Sequence, residues 1–432
     1  MNADKNKPVG FDPRFSAFIS GYTCVALSVA SLCAQTHPLE SIVEAARANP
    51  PALKELLATN FPNLKNQGTA LVWGQDFLFV AAAAKEPAVS IDAQPLAAMT
   101  RVPGADIWYR LVKMRTGVTH SYEFHADGKT LFPRRDVAGY NPDSYPKPGV
   151  PKGTLSEKHT ISSKIYDGST ADYWVYVSPG VDPARPAPLM VWQDGQGLVN
   201  RDLSSLRLFT VTENLVAQKL IPPMIHVMIS PGSGPHMRSI QYDTVSDRFG
   251  RYLLEEVLPE VEKTYKLRAD GYSRGIAGES SGAICALNVA WHFPEKFSRV
   301  HSTIGSYTAL QWHPEEHLDG ANVYPFLIRK EPRKNIRIWQ SDGMDDIENQ
   351  FGSWPLQAVE LANSLKMQGY DFHFRFGEAA HNSAQAALDL PESLAWLWRG
   401  YDAAKTEQTY EMDPAERDKP LYRIRIVNRD AW

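Results

Sequence analysis

The chain has 432 residues, which is room for two domains, and 43% of them are hydrophobic, enough for a sizeable core. A formal net charge of −4 leaves no basic surplus, which argues against nucleic acid or an anionic membrane surface as partner. Composition alone does not separate an enzyme from a binding protein.

Lys5, Lys7 and Arg14 precede a mostly apolar run from Phe15 to Ala34, and small residues close the run near Ala34 and Gln35. That order of basic, apolar and small residues reads as a secretory signal peptide over residues 1–34, predicting a secreted or periplasmic protein. The competing reading is an uncleaved membrane anchor, which the Ser, Thr and Gly diluting the run weaken. No later stretch is long and apolar enough to span a bilayer. Of the three cysteines, Cys24 and Cys33 fall in this leader. The mature chain then keeps only Cys285, expected as a small buried apolar residue with no disulfide partner.

Beyond the leader, residues 35–66 read as a helical segment, with Leu39, Ile42, Val43, Ala46, Leu53, Leu56 and Leu57 at helical spacing around Pro50–Pro51. From 67 to 136 short apolar or alternating runs (69–73, 77–82, 108–114, 121–126) are separated by Gly74, Pro103–Gly104 and Asp127–Gly128, which predicts a small β-sandwich. Residues 137–153 hold Pro142, Pro146, Pro148 and Pro151 and read as a linker. From 154 to 404 the pattern becomes strand–helix alternation. Strands are expected at 171–177, 188–192, 224–229, 275–277, 299–304, 336–340 and 372–376, and helices at 248–265, 281–292, 355–368 and 391–401. Such alternation predicts an α/β fold with a mainly parallel central sheet and helices on both faces, and ligands in such folds bind beyond the C-terminal strand ends. Residues 405–432 read as a tail.

Gly278-Glu279-Ser280-Ser281-Gly282 fits G-x-S-x-G between a short apolar strand and a helix, which is the context of an α/β-hydrolase nucleophile. A tight strand-to-helix turn lifts the Ser280 hydroxyl into the open and aims the Ser281 N–H at a developing oxyanion. The competing reading is a helix start made of small residues for packing. The base must follow the serine, and His381 lies after the last expected strand and before the closing helix. His292, His301 and His373 sit within regular elements and read as structural, while His313 and His317 lie in a loop. The acid is expected after strand 336–340, where Asp342, Asp345 and Asp346 cluster; spacing alone leaves Asp342 and Asp346 open. A second oxyanion donor is expected from the Gln193–Gly197 turn, with the Gln196 N–H preferred over the reading of an ordinary Asp-Gly turn. Trp192, Arg238, Trp312 and Trp354 are assigned to strand-end loops as substrate-binding residues, the tryptophans for stacking and Arg238 for an anionic or carbonyl group. The bland alternative is that the tryptophans complete the core and Arg238 pairs with an aspartate. No cofactor or metal is required by this chemistry.

Several segments resemble the enterochelin esterase-like branch of the esterase D superfamily. They include Val191-Trp-Gln-Asp-Gly195, Arg238-Ser-Ile-Gln-Tyr-Asp243, Ala277-Gly-Glu-Ser-Ser-Gly282, Ile304-Gly-Ser306, Asp342-Gly-Met-Asp-Asp346 and Trp396-Leu-Trp-Arg399. The resemblance covers residues 150–401 and implies an α/β-hydrolase fold preceded by an immunoglobulin-like domain. It implies Asp346 as the acid through its G-x-x-D pattern. The chain departs from the family at Ala283 and at Ala379–Ala380, where glycines are usual. The implied activity is ester hydrolysis on small-molecule or saccharide esters, either acetyl and feruloyl esters of polysaccharide or siderophore-type esters. Export favours the polysaccharide substrate. A non-catalytic carbohydrate-binding protein and an acyltransferase are the alternatives from other classes.

Overall fold

The computed structural model describes residues 36–66, 68–313 and 318–425; the leader read over 1–34 lies outside them. Helices α1 (Pro38–Ala48) and α2 (Pro50–Asn60) each open on proline, whose fixed φ suits a first helical turn, and the His37 side chain accepts the Leu39 N–H. Strands β1 (Thr69–Trp73), β2 (Asp76–Ala82), β3 (Ala88–Ile91), β4 (Ala97–Ala98), β5 (Thr100–Arg101), β6 (Ile107–Lys113), β7 (Thr119–Ala126) and β8 (Lys129–Ala138) follow. They form two four-stranded antiparallel sheets, ordered β1-β2-β6-β5 and β4-β3-β7-β8. Strand alternation divides their burial. Phe77 and Phe79 of β2 meet Tyr122 and Phe124 of β7 between the sheets, while Leu78 and Val80 turn to Ile42, Leu53 and Leu57 of the two helices.

The stretch expected as a linker is tied down. Ser144 is fully buried, Asn214 Nδ2 donates to the carbonyls of Asp143 and Tyr145 at 2.8 Å each, and Glu213 accepts the Gly153 N–H at 2.8 Å. A proline-rich segment makes few backbone bonds of its own, so side chains of the following helix take up its carbonyls.

Strands β9 (Thr154–Leu155), β10 (His159–Ser162), β11 (Thr170–Val177), β12 (Leu189–Trp192), β13 (Ile225–Ile229), β14 (Arg274–Glu279) and β15 (Arg299–Thr303) begin the central sheet. The pairs β16 (Trp312–His313) with β17 (Leu318–Asp319), and β19 (Glu348–Asn349) with β20 (Gly352–Ser353), lie off it, and β18 (Arg337–Asp345) and β21 (Asp371–Ala380) complete it. The nine-stranded sheet runs β10-β11-β13-β12-β14-β15-β18-β21, with β9 on β11. Pairing is parallel from β13 to β21 and antiparallel among β9, β10, β11 and β13.

The helices are α3 (Leu208–Ala217), α4 (Met237–Tyr242), α5 (Arg248–Tyr252), α6 (Leu258–Glu262), α7 (Ser281–His292), α8 (Tyr324–Lys330), α9 (Trp354–Met367), α10 (Ala384–Trp398) and α11 (Pro414–Arg417). A π-helical turn, Leu253–Val257, joins α5 to α6 inside the expected single helix. Helix α10 begins seven residues before Pro391, which it accommodates internally, because Ala386, Ala387, Leu388 and Leu390 bury their side chains ahead of the proline. Leu189 and Val191 of β12 point to the face covered by α5, α6, α7 and α9, while Met190 and Trp192 point to α3 and α10. The core on the α3–α10 side continues without a break from β12 into Phe77 and Phe124 between the two smaller sheets.

Candidate active site

The segment Gly278–Gly282 crosses from β14 into α7 through one residue of positive φ. Ser280 has φ 58° and ψ −122°, a conformation costly for a side chain with a Cβ. The turn is tight enough that a Cβ on Gly278 would stand 2.2 Å from the Gly282 carbonyl oxygen, so only glycine fits. The end of β15 and the loop after it hold the strained residue: the Ser280 N–H donates to the Thr303 carbonyl at 3.1 Å, and its carbonyl accepts the Ser306 N–H at 3.2 Å.

Two other strand ends reach the same point. Strands β18 and β21 pair well past their expected ends, as far as Asp345 opposite Ala380, with a register shift between Gly343 and Asp345. A Cβ on Gly343 would lie 2.2 Å from the Ala379 carbonyl oxygen, so the two chains run in contact where they leave the sheet. His381 and Asp346 follow directly. His381 Nε2 is 2.8 Å from Ser280 Oγ, and His381 Nδ1 is 2.5 Å from Asp346 Oδ1. Asp346 is buried and also accepts the Ile347 N–H at 2.5 Å. The fold brings together a hydroxyl, an imidazole and a carboxylate from positions 280, 381 and 346, with the imidazole bridging the other two.

Asp342, the rival left open by spacing, stands inside β18 with 1% exposure, and its Oδ1 accepts the Gly343 N–H at 2.7 Å. Burial first, and then the adjacent Asp346 carboxylate, push its pKa well above the usual carboxylate range. It lies beside Asp346 but inside the strand, and the contact with His381 is made by Asp346 instead.

The Ser281 N–H is at the first position of α7, where no intrahelical acceptor exists. Across from it, residues 195–197 form a single 3-10 turn whose own bonds use the N–H groups of Gly197 and Leu198, leaving that of Gln196 outside them. Gln196 lines a cavity together with Gly278 and Glu279.

The four residues assigned to substrate fare differently. Trp192 ends β12 rather than sitting in a loop; it is 2% exposed, and its Nε1 donates to His226 Nδ1 at 2.9 Å. Arg238 forms a two-point ion pair with Asp194, at 2.8 and 2.7 Å, and lies 5.4 Å from the Tyr242 ring centroid. Its fork is thus occupied from within the chain. Trp354 opens α9 and is 2% exposed, so it is a wall and not a stacking platform: its ring meets His381 edge-on at 6.0 Å, and its Nε1 donates to Ser306 Oγ at 3.0 Å. Trp312 falls in β16, and its side chain lies outside the described residues, as does the position of His317.

Sequence reasoning missed Ser306 and Asp136. Ser306 Oγ is 3.0 Å from Ser280 Oγ, and the only pointer to it was its place just after a strand in the Ile304-Gly-Ser306 segment. Asp136, on β8, accepts the Ala380 N–H at 2.6 Å and Asn382 Nδ2 at 3.4 Å, and burial raises its pKa. No local signal links residue 136 to residue 380. His301 is buried against Ser393, with burial pushing its pKa down to about 4, and His373 stacks on Trp339 at 4.2 Å; both are structural.

Among the described residues, no cluster of three or more His, Cys, Asp or Glu offers a metal site, and no helix is long and apolar enough to cross a membrane. Cys285 is buried, with its thiol pKa raised well above normal by burial.

The family described as "Putative esterase" matches residues 170–397. The iron(III) enterobactin esterase of Dickeya dadantii is 22% identical over 241 residues, 53% of this chain and 52% of that protein. The iron(III) enterobactin esterase of Escherichia coli K12 is 28% identical over 141 residues, 33% of this chain and 32% of that protein. The chain thus spans about half the length, or less, of the curated relatives it matches. In fold it is similar to the enterobactin esterase of Shigella flexneri, solved in the presence of 2,3-dihydroxy-N-benzoyl-serine. That likeness has a TM-score of 0.55 at 18% identity, covering 78% of this chain and 97% of that one. The ferric enterobactin esterase of Salmonella typhimurium superposes with a TM-score of 0.52 at 18% identity, covering 80% and 98%. With the family matching more than half of its length, and with a strained serine at a strand-to-helix turn inside that match, the chain belongs to the putative esterase family.

Proposed function

We propose that the protein is a serine carboxylic-ester hydrolase working through an acyl-enzyme, with Ser280 as nucleophile, His381 as base and Asp346 as the acid that orients it. The observation that carries the reading is the continuous hydrogen-bonded path Ser280–His381–Asp346, at 2.8 and 2.5 Å, on a serine held at positive φ. His381 Nε2 takes the Ser280 proton as Oγ attacks the ester carbonyl, and Asp346 holds Nδ1–H so that the charged imidazolium is stabilised. The N–H groups of Ser281 and Gln196 receive the tetrahedral oxyanion. His381 then gives the proton to the departing alcohol, and later takes one from water so that hydroxide attacks the acyl-enzyme. Ser306 and Trp354 keep the serine hydroxyl and the imidazole in register.

Siderophore-type esters are the substrate class best supported, because the curated relatives carry the name iron(III) enterobactin esterase. Acetyl and feruloyl esters of polysaccharide form the competing class. The reading further assigns residues 67–136 to an immunoglobulin-like sandwich and 154–404 to the catalytic domain, supported by the two four-stranded sheets ahead of the nine-stranded one. It assigns residues 1–34 to an export signal, supported by their order of basic, apolar and small residues.

The test is turnover of p-nitrophenyl acetate. Ser280→Ala is expected to abolish it in a protein whose circular dichroism is unchanged, and a fluorophosphonate is expected to label Ser280; unchanged turnover overturns the assignment. A panel of catecholate, feruloyl and acetyl esters then ranks substrates by kcat/KM, and a preference for feruloyl or acetyl esters overturns the siderophore class.

A further inference from the structure

Ser306 stands in the loop that follows β15, beside the nucleophile, and the backbone leading to it is strained. Ile304, two residues earlier, has φ 44°, a left-handed conformation that a β-branched residue adopts only when its surroundings impose it. The Ile304 N–H donates to the Ser341 carbonyl at 2.8 Å and the Ser306 N–H to the Ser280 carbonyl at 3.2 Å, which pins the turn to β18 and to the nucleophile. Among the described residues the Ser306 side chain has two polar neighbours, Trp354 Nε1 at 3.0 Å and Ser280 Oγ at 3.0 Å. At 1% exposure it is too deeply buried for solvent to serve as a third. An indole N–H can only donate, so Ser306 Oγ accepts from Trp354. The Ser306 proton is then left with Ser280 Oγ as its acceptor, and the Ser280 proton with His381 Nε2 at 2.8 Å. Both hydroxyls therefore point one way, from the indole through Ser306 and Ser280 to the imidazole.

We propose that Ser306 is a catalytic hydroxyl of the second half-reaction: its hydrogen bond to Ser280 Oγ speeds hydrolysis of the acyl-enzyme and leaves acylation nearly untouched. The inference rests on the esterase reading and assigns a further residue to one step of it. Only a bond that is stronger in the transition state than in the preceding ground state accelerates a step. Acylation starts from the free Ser280 hydroxyl, which already accepts the Ser306 proton well. Its Oγ loses a proton as it gains a bond to carbon, so its strength as an acceptor changes little. In the acyl-enzyme Oγ is the alkyl oxygen of an ester, with a lone pair delocalised into the carbonyl, and it accepts poorly. Hydrolysis reverses that. His381 takes a proton from water, the hydroxide adds to the carbonyl carbon, and the delocalisation is lost. The C–Oγ bond then breaks, its electron pair stays on Oγ, and the imidazolium returns the proton there. Oγ becomes a better acceptor at each of these stages, and Ser306 meets it with a hydrogen bond whose proton it keeps throughout.

The experiment uses p-nitrophenyl trimethylacetate on the full chain, because its hindered acyl group hydrolyses slowly enough for both steps to be timed. Release of p-nitrophenolate gives the acylation rate, and disappearance of the acylated protein by intact mass spectrometry gives the deacylation rate. Ser306→Ala is expected to slow deacylation about tenfold and to change acylation by less than about threefold. Ser306→Cys has nearly the same volume and a thiol that donates only weakly; it serves as a second variant should the first fold poorly, with the same split expected. Equal slowing of both steps overturns the role, since a merely structural serine would disturb both. A deacylation rate within about threefold of the parent also overturns it. Either result leaves the esterase reading standing. If the unaltered protein releases no p-nitrophenolate and takes up no acyl group, the esterase reading is overturned, and the role of Ser306 with it.

Discussion

Asp136 offers a test of whether the smaller sheets take part in positioning the catalytic loops. Its side chain is 3% exposed and reaches from β8 to the residue before His381, where it accepts the Ala380 N–H at 2.6 Å. On the same strand Arg134 pairs with Asp345, next to Asp346, at 2.6 Å, though its exposure makes that contact weak. Asp136→Ala removes the Ala380 hydrogen bond, worth about 1.5–3 kcal/mol when the carboxyl is ionised, together with the longer one from Asn382 at 3.4 Å, which adds little. If that energy holds the His381 loop in place, and about 1.4 kcal/mol corresponds to a tenfold rate, kcat should fall roughly ten- to a hundredfold. Water can reach the half-buried Ala380 and replace part of the bond, so the lower end is expected. The assay is kcat and KM for p-nitrophenyl acetate with thermal unfolding measured alongside. Asp136→Asn retains an acceptor oxygen of the same reach and should restore most of the rate. A kcat within about twofold of the parent, accompanied only by a lower Tm, would show that Asp136 is structural and refute the positioning role.

The two buried aspartates, Asp342 inside β18 and Asp346 just beyond it, should respond differently to amidation. Asp346→Asn loses the charge facing His381 Nδ1 and is expected to lower kcat by about two to four orders of magnitude, as the wrong tautomer is favoured. Asp342→Asn alters a carboxyl that stays inside β18, makes no bond to His381 and has its pKa raised by burial and by Asp346, so kcat should stay within about threefold; equal losses in the two variants would reverse the assignment of the acid. Asp389, in α10, has its pKa raised to about 6 by burial, although Gln385 Nε2 donates to it. A carboxyl whose folded pKa exceeds its unfolded value contributes stability that is full below the unfolded pKa and is lost as pH rises through the folded one. Asp389→Asn should therefore flatten the loss of stability between about pH 4 and pH 6, gaining about 1–3 kcal/mol at pH 8 in urea unfolding. An identical pH dependence in the variant and the parent would count against a raised pKa at this position.

Local features were legible in the chain itself. The glycines around Ser280, the apolar strand before it and the helix after it reflect requirements met within a dozen residues, so the turn could be placed from pattern alone. The α/β alternation was legible for the same reason. Contacts between distant segments were not. Spacing could not choose between Asp342 and Asp346; the register shift in the β18–β21 pairing turns one toward His381 and leaves the other inside the strand. The tryptophans assigned to substrate were indistinguishable from core tryptophans, because exposure depends on what packs over a residue, and for Trp192 and Trp354 that is His226 and the Ser306–His381 corner. Sequence left the fork of Arg238 open between a ligand and an aspartate, and the turn after β12 brings Asp194 to it. Asp136 carried no signal at all, since its partner lies 244 residues away and is a backbone N–H, a group every residue but proline possesses. Periodicity and turn chemistry determine elements one at a time, whereas the roles of paired side chains follow from strand register and the packing of loops, which no single segment encodes.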